Sequence, residues 1–341
     1  MNKPAGGNSI VIDSISPSLA IPGGDVRIRG RNFLDGPRPT VRFGGELAPL
    51  TAGSGTLAVA RVPDPAPGRT LSVGMYPETW AEAPFEVGEL VADNLHPVSN
   101  PAIDAQGNIF ATFSGPRGQK TPVAVYRIAP DGGMEPYLTE LMNATGLAFD
   151  SLGVLHASSR FDGFVYQIPS SGVLNVFVEG MGVATGIAFD LEDNLYVGDR
   201  SGTIFKISPT RQVYVFATVE ASIAAFHLAF GPGGYLYVTG PTTSSNDAVH
   251  RVAPNGDVEV FYRGLGRPQG LAFDVEGNLY VAASREGRRG IIRITPDRET
   301  SVFLTGPNIV GLAFAPGGGM IVATTSALYR VHAGVMGRPL V

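Results

Sequence analysis

A chain of 341 residues that is 44 % hydrophobic can bury a large core, and only 16 % of it is charged, so disordered and highly solvated classes drop out. Its 25 basic and 30 acidic side chains leave a net charge of −5 with no basic run, which excludes the electrostatic footprint of a nucleic-acid binder or of a protein held on anionic lipid. Zero cysteines remove disulfides, thiolate catalysis and zinc–thiolate sites, while 45 glycines and 27 prolines indicate many tight turns and an all-β fold.

Residues 1–9 (MNKPAGGNS) carry one lysine and no apolar stretch of signal length. The sequence as it stands therefore reads as cytoplasmic, and removal of a leader would make it extracellular or periplasmic. No run approaches the ~18 apolar residues of a spanning helix, so no membrane insertion is expected. Between Ile10 and Val87, short β-type runs (SIVIDSI, DVRIRG, TVRFGG, TLAVARV, TLSVGMY, APFEVG) alternate with Pro, Gly, Asp and Asn, the spacing of a small sandwich. The ordered set Ile15-Ser16-Pro17, Pro22-Gly23-Gly24, Ile28-x-Gly30-x-Asn32-Phe33, Val41-x-Phe43-Gly44-Gly45, Val62-Pro63, Gly68 and Phe85-x-Val87 resembles the IPT/TIG family of immunoglobulin-like domains. That resemblance implies an Ig-like domain over residues 8–88 with Phe33 and Phe43 in its core. Family members serve as interaction modules, spacers or DNA-contacting domains. The last role needs a basic face, but Arg27, Arg29 and Arg31 alternate along one strand and read as its solvated side.

From residue 100 one phrase recurs six times: NPAIDAQGNIFAT, GLAFDSLGVLHAS, GIAFDLEDNLYVG, HLAFGPGGYLYVT, GLAFDVEGNLYVA and GLAFAPGGGMIVA. The aligned Ile103, Phe149, Phe189, Phe230, Phe273 and Phe314 repeat about every forty residues, the period of a β-propeller with one four-stranded blade per unit. Each unit supplies GLAFD as the inner strand, a D-x-x-G-N turn, LYVA as the second strand, and then two more, such as TIFKIS and VYVFAT. Residues 89–100 align with 259–270, a fourth strand with no blade before it, and are expected to complete the sixth blade beside Leu328–Val331. Gly337–Val341 is the competing candidate for that edge. The expected whole is a small Ig-like β-sandwich (8–88) followed directly by a six-bladed β-propeller (89–341).

The repeat phrase resembles NHL-repeat propellers and, more broadly, the six-bladed group of SMP-30/gluconolactonase-like proteins. That group implies a divalent cation held by oxygen ligands at the central channel, with lactonase-type hydrolysis as the activity. The residues entering the channel here, Ser99-Asn100, Thr145, Thr185, Phe226-His227, Gln269 and Asn308, include no carboxylate, and the family's Glu-Gly-Pro opening is replaced by Val98-Ser99-Asn100-Pro101. Asp199 is the one acid near the mouth, so no cofactor is expected beyond a weakly held divalent cation such as calcium. Asp104, Asp150, Asp190 and Asp274 recur with the repeat and read as turn formers.

His227 replaces the glycine that opens the inner strand in four other units, so it either bonds a neighbouring blade or faces a ligand. His156, in the place of the Tyr of L-Y-V, reads as packing. Lysine occurs three times, and Arg160, Arg200 and Arg285 follow second strands. They form either a clamp for a carboxylate or an ordinary solvated rim. G-x-S-x-G, H-E-x-x-H and P-loop motifs are absent. The leading expectation is a non-catalytic binding or scaffold protein that recognises a protein partner or small ligand through the propeller face and the Ig-like domain. The ligand set comprises His227, Gln269, Asn100, Asp199 and Asn308, with Arg160, Arg200 and Arg285 on the rim. The alternative is a metal-dependent lactonase.

Overall fold

Each repeat phrase pairs with itself as an antiparallel hairpin and then adds two outer strands, so apolar residues on both sheet faces are covered by the neighbouring blades. A computed structural model of the chain describes residues 9–34, 38–66, 68–75, 79–169 and 172–339. The chain forms two compact units, one made of the residues up to Glu89 with Arg288–Gly290 and Val302–Pro307, the other of the remainder. No helix among the described residues is long and apolar enough to cross a membrane.

The first unit contains two four-stranded sheets. One runs in the order Val11–Ser16, Asp25–Arg31, Leu57–Arg61, Leu50–Gly53, and the other in the order Glu46–Ala48, Thr40–Phe43, Thr70–Met75, Thr79–Pro84. Alternation along Asp25–Arg31 turns Val26 and Ile28 inward and Arg29 and Arg31 outward. Phe33 and Phe43 are fully buried in a core shared by both sheets, and Phe43 meets Phe85 edge to face at 4.9 Å. Gly23, Gly44 and Gly45 take φ of 82°, 54° and 95° at chain reversals, where a side chain would be strained.

The second unit is a six-bladed β-propeller. Its inner strands are Ala102–Ile103, Ala144–Phe149, Ala184–Phe189, His227–Phe230, Leu271–Phe273 and Ile309–Phe314. Each touches the next, and the sixth touches the first, so the ring is closed. Glu89–Ala92 lies beside Leu328–Val331 as the fourth strand of the sixth blade, the arrangement expected from the alignment of residues 89–100 with the end of the fifth unit. Ala92 and Leu95 pack with Ile321, Ala323 and Leu328. The competing segment goes elsewhere. Gly337 bridges Asp274 and the Arg338 amide bonds the Phe273 carbonyl, while residues 340–341 lie outside the described residues.

Two devices repeat around the ring. The first is an aromatic ladder in which the second-strand aromatic of one blade meets the inner-strand Phe of the next edge to face. Phe110–Phe149, His156–Phe189, Tyr196–Phe230, Tyr237–Phe273 and Tyr280–Phe314 are 5.4, 4.9, 5.0, 4.7 and 5.4 Å apart. Such pairs contribute about 0.5–1.5 kcal/mol each beyond their burial. His156 takes its place in this ladder as a packing residue. The second is the turn aspartate. In Asp274, Oδ1 accepts the Asn278 amide at 2.8 Å, while Oδ2 accepts Asn278 Nδ2 at 2.7 Å and the Tyr280 hydroxyl at 3.1 Å. Asp104, Asp150 and Asp190 accept the corresponding backbone amides.

Candidate functional site

Antiparallel pairing sets Ala144 opposite Ser159, Ala184 opposite Asp199 and His227 opposite Thr239. The end of each second strand therefore lies beside the beginning of its inner strand, and Arg160 and Arg200, which follow directly, sit at the same end of the ring as His227. The aspartate turns close the opposite end.

At this end the backbones of adjacent blades approach very closely. A Cβ on Gly146 would overlap the Thr185 carbonyl, one on Gly186 the Phe226 carbonyl, and one on Gly311 would lie 2.6 Å from the Ser99 carbonyl oxygen. This contact explains the recurring glycine. Side chains bridge the same gap: Ser99 donates to the Thr145 carbonyl, Ser158 to the Thr185 carbonyl, and Thr239 to the Gln269 carbonyl at 2.6 Å.

Asn100 occupies the glycine position in the first blade. Its Nδ2 donates to the Leu271 carbonyl at 2.9 Å and its Oδ1 accepts the Leu312 amide at 3.0 Å, so one amide ties the first blade to the fifth and sixth. Gln269, half-buried, offers its carbonyl to Thr239 and its backbone amide to Ala282. His227 occupies the same glycine position in the fourth blade and is 3 % exposed. Burial pushes its imidazole down to about 4, so it is neutral at ordinary pH, and its Nε2 has no hydrogen-bond partner among the described residues. The structure thus brings His227, Gln269 and Asn100 to neighbouring positions where the inner strands begin.

Asp199 and Asn308 are placed differently. Asp199 is buried, accepts the Val183 amide at 2.7 Å and the Ser201 hydroxyl, and so caps the turn between blades. Asn308 is exposed at a turn with φ of 53°. Among the arginines, Arg160 donates to the Gly115 carbonyl at 2.6 Å and Arg200 to the Ile223 carbonyl at 2.7 Å. The Nε of each is buried without a partner, and no carboxylate among the described residues pairs with either. Burial first, and then the charges of Arg200 and Arg117, lower the Arg160 guanidinium from its usual value. Arg285 stands apart from them. An extra residue lengthens its strand to Leu279–Arg285, where it meets Glu286 at 3.1 Å and the Thr300 carbonyl at 3.4 Å.

Arg117 was not among the residues singled out from sequence. It lies on the loop 113–124, which makes the first repeat the longest. That loop is pinned to Asn143, whose Oδ1 accepts the Gly118 amide at 2.7 Å. A divalent cation needs several oxygen ligands from different blades. Asp199 already accepts the Val183 amide and the Ser201 hydroxyl, and Asn100 the Leu312 amide, and no three His, Asp or Glu side chains gather as a metal site among the described residues. This donor set does not fit a cation cage.

No family model matches the chain, and no curated protein matches it. Solved structures do. A gluconolactonase from Xanthomonas campestris is 16 % identical with a TM-score of 0.61, covering 71 % of this chain and 88 % of that one. An auxiliary nutrient binding protein from Bacteroides thetaiotaomicron is 12 % identical with a TM-score of 0.56, covering 95 % and 98 %. A virginiamycin B lyase from Staphylococcus aureus is 16 % identical with a TM-score of 0.52, covering 69 % and 80 %. At these identities the likeness carries the all-β propeller fold and nothing finer.

Proposed function

We propose that the protein is a non-catalytic binding protein that takes a carboxylate-bearing ligand, a small acid or an acidic segment of a protein partner, at the propeller end where the inner strands begin. On this reading the propeller is of the NHL kind and the N-terminal unit is an IPT/TIG domain that assists recognition. One observation carries the proposal: Arg160 and Arg200 have no carboxylate partner among the described residues and are held by backbone carbonyls, and Arg160 feels the charges of both Arg200 and Arg117. Guanidinium groups so held bind carboxylates with little ordering cost. The nutrient-binding role of the Bacteroides neighbour agrees with a ligand-binding propeller.

Calorimetric titration of a hexaglutamate peptide and of citrate tests the reading. Affinity should fall at least about tenfold in the Arg160→Gln/Arg200→Gln double variant and weaken with added salt. Equal affinity for parent and variant would reject it. Calcium-dependent hydrolysis of a sugar lactone would put the lactonase reading in its place.

A further inference from the structure

A groove lies wholly within the N-terminal unit, on the outward face of the sheet containing Thr40–Phe43, Thr70–Met75 and Thr79–Pro84. The register sets Arg42 opposite Ser72, Ser72 opposite Glu82, and Gly74 opposite Trp80. Trp80 is the only tryptophan in the chain and is 42 % exposed. Its position depends on Gly74, because a Cβ there would come within 2.5 Å of the indole ring atoms. The ring therefore lies down on bare strand backbone. The Arg42 guanidinium sits 5.0 Å from the ring centroid, held by cation–π attraction, and no carboxylate among the described residues pairs with it.

These groups border a shallow, open groove of about 450 Å³ that also includes Arg69, Thr70 and Glu82. Glycines 44, 45 and 68 leave one wall as backbone. The groove combines an aromatic surface, two guanidiniums, two hydroxyls and one carboxylate. A free carboxylate on the ligand suits Arg42, whereas Arg69 is already engaged by Glu86 at 3.5 Å; ligand hydroxyls suit Thr70 and the Ser72–Glu82 pair, and an apolar ring face suits the open part of Trp80. We infer that this groove binds an acidic saccharide, a chain of uronic acid residues. The inference is independent of the propeller reading.

The sole tryptophan makes the test direct, because its emission reports on this groove alone. The full-length protein is titrated with trigalacturonate, with neutral galactotriose and with sodium acetate. Trigalacturonate should change the emission saturably, and galactotriose should bind at least about tenfold more weakly. Arg42→Gln should weaken trigalacturonate by a similar factor, and Glu82→Gln should also weaken it. Both positions are exposed, and unchanged melting temperatures would confirm that the variants fold. Arg160→Gln should have no effect on this titration even if it abolishes binding at the propeller. Absence of a saturable change with trigalacturonate would overturn the inference. So would equal binding of galactotriose, or an equal response to acetate at matched carboxylate concentration, which would mark a plain anion site.

Discussion

His227 is the residue at which sequence pattern and environment conflict most sharply, since it puts a polar ring where the repeat has glycine and leaves Nε2 unbonded. The folded protein holds this imidazole at about 4, against about 6.5 for an unfolded chain. Between those values the unfolded chain binds a proton that the folded one refuses, so stability falls as pH drops from about 6.5 to about 4, by up to about 3 kcal/mol. His227→Gly should flatten the melting-temperature profile across that window, because His156 and His250, also lowered by burial, remain in both proteins. Parallel profiles for parent and variant would contradict the assignment. The turn aspartates make a simpler case. Asp274→Ala leaves the donors of Asn278 and Tyr280 without their acceptor and should cost about 2–3 kcal/mol in denaturant unfolding. That role was legible in the sequence because its bonds close within six residues. The role of Asn100 was not, because its amide reaches Leu271 and Leu312, 171 and 212 positions away.

Among elements, the ring closure was readable because the orphan strand 89–92 keeps the phrasing of a repeat whose other strands lie at the far end of the chain. Removing residues 1–95 should therefore lower the propeller's melting temperature far more than removing 1–87, since only the longer deletion exposes the edge of Leu328–Val331. Equal melting temperatures would show that Glu89–Ala92 does not hold the ring closed. The inner-strand glycines define a second element-level constraint. In Gly270→Ala the added carbon overlaps Asn100 Oδ1 and comes within 2.5 Å of Gly311 Cα, so three blades must move apart. The variant should lose several times the about 1 kcal/mol of a typical point substitution, and Asn100→Ala in the same chain should restore only part of it. The rim was less readable than the strands. The arginines that follow second strands suggest one triad, but the extra residue before Arg285 lengthens its strand and removes it, and the loop 113–124 brings Arg117 to bear on Arg160 instead.

At the scale of the whole molecule, the two ends of the propeller divide the work. The aspartate turns and the C-terminal segment at Asp274 close one end, and the close-packed inner-strand openings with their arginines form the other. On the proposed function, ligand recognition resides at the arginine end. Hydrogen exchange with and without a saturating acidic ligand tests this most directly, because it reports location without presuming chemistry. Added protection is expected in 115–120, 158–163 and 198–204, with the turns at 104–108, 190–194 and 274–278 unchanged. Protection confined to those turns, or spread evenly over the ring, would contradict it.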